Sequence, residues 1–365
     1  DQSCSLMQWD KIDDCFVNVR TKAVTCSVNE LYYGSSVISK GGELPSKVRG
    51  RSEEDEYARF AKWIVPKESS LNQIIDGVSV GSIDCKRRIK GNTFFIKRIE
   101  YANVWHTMLD WFAMWETVQR VGFPDNIVWL DGHAKGHLDD VWFILFGVKP
   151  LYLSSFEEGV CFDTATFVYC KWHDIHGQEI YPIEHTTDEV ECQNQMTKFV
   201  DFFLSQFNVA RNNIKQTTIV IRRWYDVHPR VGKTVDRTIS NLDEIKHNWP
   251  LALIVDLATK TFKEQLQIMV STNNLRAVHG AALTFLIFIN GSVVEWVPTT
   301  HRSVTMFAAL ASWTKIQFSR IPIAPAGKGT WYIDNPKPNV NPNNIGNVAS
   351  DDVVTSVASG VASGV

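Results

Sequence analysis

Apolar and polar positions follow two rhythms along this chain, and the switches between them lay out its elements. Residues 93–99, TFFIKRI, form a short apolar run typical of a buried strand. Residues 101–112, YANVWHTMLDWF, change to a helical rhythm, with Asn103, His106 and Asp110 spaced onto one stripe of a mostly aromatic segment. NIVWLDGH at 126–133 reads as a strand with a polar end at Asp131 and His133, and LDDVWFILFG at 138–147 reads as a helix. Strand, helix, strand, helix is the α/β order.

The second half repeats it. QTTIVIRR at 216–223 and LALIVDL at 251–257 read as strands. TFKEQLQIMVSTNN at 261–274 is a helix with Phe262, Leu266, Met269 and Val270 on one face. LRAVHG is a short strand that turns into the apolar AALTFLIFI, and after the NGS turn VVEWV is a further strand. Alternation of this kind predicts a parallel sheet with crossover helices, a Rossmann-like C-terminal domain. Residues 1–90 show no clean period, and the Gly-, Ser- and Val-rich end of the chain reads as a loop and low-complexity tail, expected to be disordered. The expected division is 1–205, 206–334 and a tail at 335–365.

A length of 365 residues favours two domains over one. With 37 basic and 40 acidic residues the charge is nearly balanced, which argues against nucleic acid or an anionic membrane surface as partner. Thirteen tryptophans serve either an aromatic core or a platform for sugars. All seven cysteines lie between Cys4 and Cys192 with no CxxC pair. A zinc site is therefore not expected, and disulfides in an oxidising compartment are. No signal peptide is visible ahead of Asp1, so a trimmed lumenal or extracellular part is expected. Asn290 opens a single glycosylation sequon.

Three pieces carry chemistry. In VHGAALT a strand ends at His279, turns through Gly280, and a helix is expected from Ala281 or Ala282; such a turn presents amides and a positive dipole end to a phosphate. The plain alternative is a tight strand-to-helix turn. Glu295, on the next strand, has the place of a carboxylate that takes ribose hydroxyls, or of a surface glutamate. Arg222, Arg223, Arg230, Lys233 and Arg237 follow one strand, as a diphosphate-binding set or a solvated basic loop. All three belong at one sheet edge. No DxD-like metal motif follows a strand, so cations and a helix terminus are expected to neutralise a departing nucleoside diphosphate without a metal. GxGxxG is absent, which disfavours a nicotinamide oxidoreductase.

Arg98, Glu100, the YANVWHTMLDW segment, VWLDGH, IRR followed by HPR and DRTISN, and VHGAALT together resemble glycosyltransferase family 61, in its plant-type N-glycan xylosyltransferase branch. The resemblance covers roughly residues 90–320. Departures are Val-Trp before His106 and the tail. It implies a GT-B fold, two Rossmann-like domains facing each other across a cleft. It also implies UDP-xylose as donor, inversion at the anomeric carbon, no metal, and the core β-mannose 2-hydroxyl of an N-glycan as acceptor. A type II Golgi protein with its anchor before this chain is implied as well. The catalytic base is then expected at Asp110 first, His106 second and Glu100 third, with Arg98, Asn103 and Trp111 contacting or positioning the acceptor. The donor would be held by Arg222, Arg223, Arg237, His279, Gly280, Ala281, Ala282 and Glu295. UDP-N-acetylglucosamine or UDP-arabinose as donor, or glycan binding without catalysis, are the competing expectations.

Overall fold

In the computed structural model the described residues are 87–96, 98, 103–129, 135–152, 155–156, 160–170, 189–222, 237–299, 306–327 and 330–333, together with the backbone of five strands nearer the N-terminus. The expectations for Glu100, Asp131, His133, Arg223, Arg230, Lys233 and the tail at 335–365 lie outside them.

The first sheet has seven strands. Those near the N-terminus are β1 (Met7–Val17), β2 (Val24–Cys26) and β5 (Val78–Val80). The others are β6 (Arg87–Ile96), β7 (Asn126–Trp129), β8 (Leu151–Tyr152) and β9 (Val160–Cys170). Their order is β5-β2-β1-β9-β6-β7-β8, and β9, β6, β7 and β8 are mutually parallel. Strand β1 runs antiparallel along nearly the whole of β9. β3 (Leu31–Tyr33) and β4 (Ser36–Ile38) form a separate hairpin. Midway along β6 the register shifts, and Gly91 takes φ +83° there. A Cβ on Gly91 would lie 2.2 Å from the Asp125 carboxylate, which accepts from the Asn92 amide at 2.7 Å, so only glycine fits this bulge.

The second sheet is built from β10 (Gln216–Val220), β11 (Thr238–Ile239), β12 (Leu253–Val255), β13 (Thr272–Val278), β14 (Ser292–Pro298), β15 (Gln317–Gly327) and β16 (Thr330–Tyr332). Its order is β11-β16-β15-β14-β13-β10-β12, and β15, β14, β13, β10 and β12 are parallel. The protein is therefore α/β, as the alternating rhythms predict.

Six α-helices are described: α1 (Val104–Val121), α2 (Asp139–Phe146), α3 (Glu189–Gln206), α4 (Leu242–Asn248), α5 (Phe262–Val270) and α6 (Met306–Trp313). Asn103 caps α1 by accepting from the Trp105 amide at 3.0 Å. This helix is buried nearly all round, as an interior helix between two layers must be. Helix α5 starts at a capping box, Thr261 with Glu264, and buries Leu266, Met269 and Val270. It stops four residues before the end of the predicted helical stretch, because β13 already begins at Thr272. Cys192 in α3 is disulfide-bonded.

One apolar cluster joins the two sheets. It runs from Phe94, Ile96 and Trp129 through Trp111, Trp115 and Phe199 to Leu275, Ala277 and Val293. A second cluster, with Ile219, Val294 and Trp296, covers the other face of the second sheet. No helix among the described residues is long and apolar enough to cross a membrane.

Candidate active site

Parallel strands end on one edge, so the ends of β10, β12, β13 and β14 lie side by side. Register decides which side chains meet there. Ala277 pairs with Glu295, and Glu295 pairs with Arg320 on β15. His279 is two residues beyond Ala277 and therefore shares its face, as the diagonal neighbour of Glu295. The contacts follow from this. Glu295 accepts a short hydrogen bond from His279 Nδ1 on Oε1, and one from Arg320 Nε at 2.8 Å on Oε2. A carboxylate can only accept, so this assignment puts a proton on Nδ1. Glu295 is 1% exposed and His279 3%.

Arg237 comes from a distant part of the chain, just before β11, and its Nη1 donates to the His279 carbonyl at 2.9 Å. The His279 amide donates to the Trp296 carbonyl at 2.8 Å. Gly280 follows, and a Cβ there would stand 2.9 Å from Arg237 Nη1. Glycine is thus what lets the guanidinium lie against the turn. Ala281–Phe288 then winds as a helix from the expected start, in the tighter 3-10 form, with Leu283 to Phe288 buried. Ala281 and Ala282 are half-buried at its start. Arg222, two residues past the end of β10, is also half-buried; the pairing of Val220 with Ala277 sets it level with His279.

Glu295 does not have the surroundings of a ribose-binding carboxylate. Both oxygens are engaged and its exposure leaves no surface for sugar hydroxyls. Arg276, one residue before Ala277, belongs to the opposite face. It lies over the Trp249 ring at 4.2 Å, and burial pushes its guanidinium down to about 10.

Helix α1 approaches this edge from the other side. Trp105 in its first turn and His279 both meet the Phe307 ring of α6, at centroid distances of 5.2 and 5.4 Å. His106, the next residue, is half-buried. Trp105, Met108, Leu109 and Phe112 line a cavity of about 20 Å³ against Thr284, Ile287, Leu310 and Trp313. Its lining is almost wholly apolar, so it is packing space and not a sugar site.

The remaining α1 candidates are buried. Asp110 is 1% exposed, so it does not face open solvent as the expected base. Trp111 is fully buried and packs edge-on against Trp142 and Phe262, which makes it a core residue and not a platform for acceptor. Arg98 is also fully buried. Its guanidinium sits 3.5 Å from the centroid of Trp129 and pairs with Asp139 at 2.9 Å, while Asp139 accepts from the Gly136 amide. This pairing ties the end of the strand to the start of α2. Asn103 is the helix cap.

Arg320, Phe307 and Asp139 escaped the sequence reading. Each is an ordinary residue in its own segment, and each gains meaning only from a partner 25 or more residues away.

No family model matches the chain. A protein named β-1,2-xylosyltransferase from Oryza sativa subsp. japonica is 24% identical over 350 residues, covering 79% of this chain and 65% of that protein. A β-1,2-xylosyltransferase from Arabidopsis thaliana is 22% identical over 388 residues, covering 79% of this chain and 71% of that protein. The chain thus spans just under two thirds of the rice protein it matches. Over most of its length this chain is similar to plant-type β-1,2-xylosyltransferases, the resemblance its motifs carry.

Proposed function

We propose that the chain is an inverting glycosyltransferase of the GT-B kind, which moves xylose from UDP-xylose to the 2-hydroxyl of the core β-mannose of N-glycans. The observation that carries this reading is the gathering of Arg237, His279 and Gly280 at the carboxyl edge of a parallel sheet, within one aromatic ring of the start of α1. That edge is where an open α/β sheet binds a nucleotide.

In the proposed reaction the acceptor oxygen bonds to the anomeric carbon of xylose from the face opposite UDP, the bond from that carbon to the diphosphate oxygen breaks, and a base takes the acceptor proton. Arg237 and Arg222, with the Gly280–Ala282 backbone, stabilise the charge gathering on the diphosphate. His106 is the better placed base on α1, because it is half-buried while Asp110 is enclosed. No metal is needed, since the cations of this edge neutralise the leaving group. The reaction takes place in the Golgi lumen, where the disulfide at Cys192 is stable, with a type II anchor ahead of the chain.

The test is incubation with a panel of UDP-sugars and a GlcNAc-terminated N-glycan, followed by product mass. A pentose added from UDP-xylose alone supports the assignment. Addition from UDP-N-acetylglucosamine or UDP-arabinose reassigns the donor. Glycan binding with no UDP release overturns catalysis.

A further inference from the structure

His279 is held at every polar group described for it. Its amide donates to Trp296, its carbonyl accepts from Arg237, and its Nδ1 donates to Glu295. Glu295 is itself held by Arg320, whose side chain is 24% exposed and so reaches the sheet's outer region. The residue gripped in this way stands immediately before Gly280, the turn against which Arg237 lies. A buried carboxylate is costly unless fully hydrogen-bonded, and a strand could hold an aliphatic residue at this position at less cost. Its presence therefore calls for a task that packing alone does not supply.

We infer that Glu295, held by Arg320, is a positioning residue: it fixes the His279 ring with Nδ1 protonated, and through that residue fixes the Gly280 turn and the Arg237 guanidinium that meet the diphosphate. The inference rests on the proposed nucleotide-sugar reading for the identity of that anion. Glu295 touches neither the donor nor the acceptor.

The experiment combines UDP calorimetry with NMR of protein labelled with ¹⁵N-histidine. His279→Gln identifies the ring signals, since the chain has ten histidines. In the unaltered protein the His279 ring is expected in the Nδ1–H form. Glu295→Gln can donate to Nδ1 instead, so the ring should pass to the Nε2–H form while the melting temperature reports that the fold persists. Arg320→Gln, a milder change at a partly exposed residue, should leave the Nδ1–H form but broaden the ring signals. UDP affinity should fall about tenfold in Glu295→Gln, and that loss should vanish when the same change is made in His279→Gln. A His279 tautomer indifferent to Glu295→Gln overturns the inference. So does an equal UDP loss in both backgrounds, which would mean that Glu295 acts on the ligand or the fold without His279. Unaltered protein that binds no UDP would overturn the functional reading instead, while the tautomer measurement would still decide the coupling of Glu295 to His279.

Discussion

Arg237 donates to the His279 carbonyl at 2.9 Å and lies against Gly280, so its guanidinium braces the turn that is proposed to meet the diphosphate. Arg237→Ala should weaken UDP binding by about 1.5–3 kcal/mol, the scale of a charge-assisted contact. Gly280→Ala should weaken it as well, because its methyl group, 2.9 Å from Arg237 Nη1, would push the guanidinium off the turn. Calorimetry on both variants checks this, and unchanged affinity in the pair would remove Arg237 from the donor site. Arg98 calls for a different measurement. Its charge is fully buried, paired with Asp139 and stacked on Trp129. Arg98→Met keeps the volume but strands the Asp139 carboxylate, which should cost about 3–5 kcal/mol of stability in a denaturant titration. A loss under 1 kcal/mol would mean that the pair is dispensable.

At the scale of an element, α1 carries two candidates of opposite character. His106→Gln should lower turnover by about 100-fold with little change in melting temperature, as removal of a general base does. Asp110→Asn changes a buried group and should lower the melting temperature as well. A cool-melting His106→Gln with normal turnover per folded molecule would exchange the two roles. Helix α5 is held at its start by the Thr261–Glu264 box. The Thr261 hydroxyl, then its amide, hold the Glu264 carboxyl below its ordinary value. A lowered carboxyl stabilises the fold above its unfolded-state value, and that contribution is lost as pH falls through the folded-state value. Thr261→Ala should therefore lower the melting temperature by ~2 °C at neutral pH and by less in acid, which parallel melts would show. An equal difference at both pH values would mean that the carboxyl has no part in the cap.

Across the whole molecule, two sheets share one apolar cluster, with α1 between them. Trp111 of α1 meets Phe262 of α5, so aromatic packing helps join the first half to the second. This holds the start of α1 near the edge proposed for the donor through Phe307. If the arginines of that edge alone neutralise the leaving UDP, transfer should continue unchanged in EDTA. Loss of transfer that manganese restores would show that the leaving group depends on a metal.

The sequence by itself determined the α/β class, the helices whose apolar residues recur on one face, and the turn at VHGAALT, because each depends on residues within a few positions of one another. It also placed His279 and Gly280 at the edge where the parallel strands end together, whereas Arg237, well past the end of β10, reaches that edge by a contact across 42 residues. Tertiary structure decided who touches whom. Glu295 read as a ribose ligand because a lone carboxylate near a strand end has no visible partner in sequence. Register brought it His279 from 16 residues away and Arg320 from 25. The stripe of Asn103, His106 and Asp110 was legible from helical spacing, but spacing fixes only which residues share a face. Burying one end of that stripe and leaving His106 half-exposed depended on where α1 docks between the sheets. Local sequence sets period and direction; lateral register and docking are collective, and they alone assign each polar side chain to a partner or to solvent.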